Sequence, residues 1–276
     1  DTTELNNGSL DNCAIDTMWL SQSNFSCADT NGVTDTLFVR DVSGNLSMAT
    51  ATVTILDTMP PFISAAGGVF YLAGTGSVTI DTTDINVSTY DNCVTDTMWL
   101  SQYTFSCADS NNNTVTFYAR DLSGNTDSVD VTVTIEDTLV PTVQVQNITV
   151  YLSAAGTLSI DTTDINNNSF DNCAIDTMWL SQYNFTCADS NANTVWFFAQ
   201  DVSGNTDSAS ATVTVLDKVS PTAIAQNLTI YLDSTGAAII DTTDLNNGSF
   251  DNCAIDTMWL SQSNFSCADT NGVTDT

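Results

Sequence analysis

The sequence predicts an all-β protein made of tandem antiparallel β-sandwich domains, and three observations lead there. The tripeptide Asp-Asn-Cys recurs at Asp11, Asp91, Asp171 and Asp251, one small domain every 80 residues. Inside each period, short runs alternate apolar and polar residues, as in Ala209, Ala211, Val213 and Val215, and turn residues separate them. The acids are almost all aspartate, with glutamate only at Glu4 and Glu136, and Thr, Val and Asn are abundant. Aspartate favours turns and caps whereas glutamate favours helix interiors, so the skew argues for strands and loops.

Residues 141–217 serve to justify each element. Val143 and Val145 alternate with polar neighbours, and then the phase slips at Gln146-Asn147 so that Ile148, Val150 and Leu152 carry the apolar face. The slip predicts a bulge or a strand that changes sheets. Leu158 and Ile160 mark a second strand, Met178 and Leu180 an inward-facing third, and Val195, Phe197 and Ala199 a fourth; Ala209 to Val215 form the last. Asp201 to Asn205 joins the last two, with Gly204 supplying the positive φ of a hairpin turn. No segment has helical periodicity.

Prolines mark domain entry, which divides the chain at 1–57, 58–137, 138–217 and 218–276. The two middle segments are complete repeats, the first is the C-terminal part of a repeat and the last an N-terminal part. Residues 11–36 and 251–276 are the same string, which implies a longer period of three domains. Ends that cut through domains lead us to expect a window from a longer tandem array, with its domains end to end as a fibre.

The ordered marks PTAIAQNLTIYLD, DNCAID, LSQ, FSCAD, DVSGNT and ATVTVLD resemble the hyalin-repeat, immunoglobulin-like modules of giant Bacteroidota surface adhesins of the gliding type, exported by type IX secretion. The resemblance implies immunoglobulin-like sandwiches and a cell-surface stalk or adhesive filament outside the cell. Relatives place cysteines in the first and last strands where this chain has Ala65 and Val129, then Val145 and Ala209. Small opposite large, then large opposite small, conserves volume if these strands touch.

Composition limits the chemistry. The chain has no histidine, so it offers no imidazole base and no His-ligated metal. Its net charge of -30 makes nucleic acid and anionic membranes repulsive partners. No run is long enough to span a bilayer. A site duplicated in every unit without a cleft-forming insertion is a poor basis for an enzyme, so none is expected.

The eight cysteines fall in pairs fourteen apart: Cys13 and Cys27, Cys93 and Cys107, Cys173 and Cys187, Cys253 and Cys267. An even count in an exported-looking acidic array favours disulfides over metal, and pairing within each copy is the simplest connectivity. Asp81, Asp84 and Asp91, with Asp161, Asp164 and Asp171, either supply oxygen ligands for calcium or form Asx turns and caps. Acidic linkers between domains could host the same ion, and no other cofactor is required.

Asp-Thr pairs place Thr17, Thr97, Thr177 and Thr257 in DTM, Thr82, Thr162 and Thr242 in DTT, and Thr58 and Thr138 at domain joints. The pattern is similar to the O-glycosylation sequon of Bacteroidota, and it equally serves as polar turn chemistry. Period two sends Trp19, Trp99, Trp179 and Trp259 outward, where they could meet a sugar on Thr177, a neighbouring strand's Phe198 or another fibre. Buried tryptophan packed on a disulfide is the alternative. The expected function is therefore a structural or adhesive filament segment whose partners are neighbouring repeats, lateral fibre contacts or surface glycans. A carbohydrate-binding module using the tryptophans is the rival.

Overall fold

The computed structural model describes residues 1–270, so the last six residues of the expected 218–276 segment lie outside them. Two compact units emerge, Asp1–Asp137 and Thr138–Thr276. Each contains one complete 80-residue repeat, folded as an immunoglobulin-like β-sandwich, and one partial repeat whose described strands belong to one layer of that fold.

In the complete repeat of the second unit, one layer is a four-stranded sheet in the order Ile148–Tyr151, Thr206–Leu216, Asn191–Asp201, Ile175–Leu180. The two long strands pair antiparallel through the Asp201–Asn205 turn, where Gly204 has φ 93°. Ile148–Tyr151 joins the last strand in parallel, with Ile148 opposite Val213, which brings first and last strands together. The facing layer holds Thr157–Ser159 against Asn184–Thr186, and bridges from Thr142 to Phe170 and from Val145 to Asn166.

The phase slip at Gln146-Asn147 is thus a strand changing sheets: the chain bridges one layer up to Val145 and enters the other at Ile148. Asn147 pins the crossover by accepting from the Thr212 backbone N–H at 2.7 Å. The other complete repeat has Gly67 at the same position, where a Cβ would stand 1.7 Å from the Thr132 carbonyl oxygen. Only glycine lets the backbones approach that closely.

Between the layers, Phe185, Val195, Phe197, Val213 and Val215 are fully buried, and Ile165, Leu180 and Leu152 close the core. Each such side chain contributes roughly 1.5–3 kcal/mol of transfer free energy. Met178 departs from expectation. It is 38% exposed, while Leu180, two residues on, is buried. Its strand is one of the two edge strands of the sheet, with no further strand beside it.

Helical turns are also present where none was expected. Thr162–Ile165 forms one α-turn and Cys187–Asp189 one 3-10 turn. Each is too short for periodicity to reveal, yet each begins with a reciprocal capping box, Asp161 with Asp164 and Thr186 with Asp189. The sequence carried that signal in the spacing of DTTD and TCAD.

Candidate functional site

The repeats meet at joints built from aspartate turns and a cystine. In the second unit, the capping box of Thr186 and Asp189 presents Cys187 at the start of its turn: the Thr186 N–H donates to Asp189 at 2.8 Å and the Ala188 N–H to the Thr186 hydroxyl at 3.3 Å. Hydrogen bonds from the Thr186 backbone and hydroxyl hold the Asp189 carboxyl below its ordinary value. On the following repeat, Asp251 receives the Cys253 N–H at 2.9 Å in an Asx turn. Cys187 and Cys253 are bonded, with Cα atoms 5.3 Å apart and a sequence separation of 66.

The same construction joins the repeats of the first unit. Cys27 is bonded to Cys93 with Cα atoms 5.4 Å apart, again 66 residues on. Cys107 and Cys173 are each engaged in a disulfide, whereas Cys13 and Cys267 are free thiols. Pairing within a copy is therefore overturned in all four copies: Cys27 takes Cys93 from Cys107 and leaves Cys13 free, and Cys187 is taken from Cys173 by Cys253, which leaves Cys267 free. The physical reason is length. A six-residue strand such as Ile175–Leu180 lies between the two cysteines of one copy and rises about 20 Å, far beyond the ~7 Å Cα limit of a disulfide.

Polar contacts reinforce each joint. Asn252 donates to Asp217 and to the Ser153 carbonyl, both at 3.1 Å. In the first unit, Asp57 accepts from Asn92 at 3.1 Å and from the Met59 N–H at 3.2 Å, while Asn125 donates to the Asp57 carbonyl at 3.0 Å. Gly156, at φ 70°, lies against the joint: a Cβ there would stand 2.5 Å from the Asn252 carbonyl and 2.9 Å from the Cys187 sulfur.

The predicted calcium ligands separate. Asp81 and Asp84 close a capping box, as do Asp161 and Asp164, so their oxygens serve backbone N–H groups. Asp91 instead gathers with Asp57, and one carboxylate oxygen of each lies within 4.8 Å of the other and of the Cys93 sulfur. Asp57 Oδ2 and Asp91 Oδ1 are buried and accept no hydrogen bond. The chain's three cations are engaged elsewhere: Arg40 pairs with Asp16, Arg120 with Asp96, and Lys218 lies 4.0 Å over the Tyr151 ring. Because Cys93 is oxidised, the donors left are oxygens, which suit a hard cation such as calcium.

Each of the first three tryptophans stacks on the aromatic directly opposite it in the sheet. Trp19 meets Phe38 at 5.3 Å between centroids, Trp99 meets Tyr118 at 5.1 Å and Trp179 meets Phe198 at 5.2 Å. Trp179 remains 36% exposed, and Trp259, whose stretch forms no strand, is 79% exposed. Thr17, Thr58, Thr97, Thr138, Thr177 and Thr257 are exposed, while Thr82, Thr162 and Thr242 sit half-buried at the start of helical turns.

Asp35 was not anticipated. It occupies the position of Val115 and Val195, is fully buried, and accepts from the Ser21 hydroxyl and from the Gln22 and Thr36 N–H groups. The Ser21 bond holds its carboxyl below the ordinary value against the opposing effect of burial. Comparison of the repeats, VTDT against NTVT, carried the signal.

No protein-family model and no curated protein matches the chain. Among solved structures, it is similar to extracellular cadherin domains 1–4 of protocadherin gamma B7, at 12% identity over 85% of this chain and 71% of that one, TM-score 0.35. It is also similar to titin domains I67–I69, at 9% identity over 67% and 75%, TM-score 0.36. No helix among the described residues is long and apolar enough to cross a membrane.

Proposed function

We propose that the chain is a structural and adhesive segment of a long extracellular bacterial surface filament, related to the hyalin-repeat adhesins of Bacteroidota, with no catalytic role. One observation carries this reading: the cystines join consecutive repeats instead of closing single ones. A repeat that needed only its own stability would gain nothing from bonding its neighbour, whereas a thread gains a covalent joint. Cystines also fit an oxidising compartment outside the cytosol. Electron microscopy of the native particle is the test. A thread beaded at about 40 Å, the rise of an ~11-residue strand with its turns, is expected; isolated globular particles would overturn the reading.

Calcium belongs at the joint in this reading, on Asp57 and Asp91. Two buried, unpartnered carboxylate oxygens with no protein cation beside them favour a divalent ion there. Calcium is expected to raise the melting temperature, and Asp57→Asn to remove that rise. An unchanged melting temperature in the parent chain speaks against the ion.

Exposed Asp-Thr hydroxyls such as Thr177 are the proposed O-glycan sites, and intact-peptide mass spectrometry reads them directly. The exposure of Trp179 favours the carbohydrate-binding alternative, which binding of this chain on a glycan array would promote.

A further inference from the structure

We infer that the cystines Cys27–Cys93 and Cys187–Cys253 carry tension past the repeat joint within each unit, so that this joint and the residues each bond bridges are never pulled. The inference rests on the filament reading, because tension along the chain matters only in a thread. Cys27 and Cys93 are 66 positions apart in sequence, yet their Cα atoms are 5.4 Å apart; Cys187 and Cys253 repeat this at 5.3 Å. Stretched out, 66 residues would span about 230 Å. The bond is therefore the short covalent route between these positions, and force applied to the chain follows it.

What the route bypasses is specific. Residues 28–92 hold the strands Val33–Asp41 and Leu46–Val53, the linker with Pro60 and Pro61, and the opening strands Phe62–Ala65, Val69–Tyr71 and Ser77–Thr79 of the next repeat. None of these can be drawn out while Cys27 and Cys93 stay bonded. The hydrogen bonds from Asn92 and Asn125 to Asp57 then fix geometry at the joint without bearing the pull. A cystine closing one copy would behave differently. It would shield only the residues between cysteines fourteen apart and leave every linker in the path of the force.

Single-molecule stretching of the full chain, held by enzymatic tags at its two termini, tests the inference. The readout is the contour length after all structure has been pulled out, which does not depend on how well a variant folds. Replacing Cys27 and Cys93 together by serine is expected to lengthen the fully extended chain by about 230 Å, and replacing Cys187 and Cys253 to lengthen it by the same amount. A contour length unchanged by either double replacement overturns the inference. Native particles that are not threads would remove the filament reading while leaving the contour-length result as it stands.

Discussion

Asn92 donates from Nδ2 to Asp57 Oδ1 at 3.1 Å, tying the turn before Cys93 to the end of the preceding repeat. Asn252 and Asp217 make the same bond at 3.1 Å in the other unit. The Asp-Asn-Cys tripeptide therefore has a division of labour. In the copies at Asp91 and Asp251 its aspartate folds the turn, its asparagine clasps the incoming linker, and its cysteine is bonded to the previous repeat.

Peptide mapping checks the connectivity first. Digestion at aspartate without reductant is expected to release the Cys27 peptide joined to the Cys93 peptide, and Cys187 joined to Cys253. A Cys13–Cys27 product would contradict the joint. Loss of one such staple, closing a loop of 66 residues, is expected to cost about 4 kcal/mol in the chain-entropy treatment, read by urea unfolding of the Cys187→Ser, Cys253→Ser variant.

Gly156→Ala strains the joint twice. The backbone is left-handed there, and the new methyl meets the Asn252 carbonyl at 2.5 Å. Destabilisation of at least about 1–2 kcal/mol is expected from the backbone alone, with slower formation of the Cys187–Cys253 bond followed by thiol trapping. Gly74, which has nothing within 4 Å of its notional Cβ, provides a control expected to tolerate alanine.

Truncating Phe197, fully buried between the layers, should cost about 3–5 kcal/mol in urea unfolding. Trp179→Ala removes an outer stacked pair and should cost clearly less, about 0.5–1.5 kcal/mol beyond the area it buries. Equal losses from the two would mean that the tryptophan belongs to the core.

Acid should weaken the fold through its capping carboxylates. Asp161 lies below its ordinary value of 3.8 because the Thr163 hydroxyl and then the Thr163 N–H donate to it, and Asp81 and Asp241 behave alike. A carboxyl whose folded value is depressed adds stability above the unfolded value and loses it as pH falls through the folded one. Melting temperature should thus be level above about pH 5 and fall increasingly below the ordinary carboxylate value. Asp161→Asn should flatten that slope; an unchanged slope would show that this cap does not titrate with folding.

The sequence by itself determined the repeat, the main strands and the phase slip at Gln146-Asn147, because all of these follow from periodicity two and from turn residues, which are local; that the slip is a change of sheet and not a bulge, and that Trp179 stacks on Phe198 at the surface, was decided by the fold. Capping boxes such as Asp161 with Asp164 were also written locally and could have been read. Only the tertiary structure decided which cysteines bond, that Met178 is uncovered, and that Asp91 joins Asp57 instead of Asp81 and Asp84. Those outcomes depend on where strand ends meet in space. Fourteen residues look short along the chain, but an extended strand between them carries the second cysteine to the far end of the domain, within bonding reach of the next one.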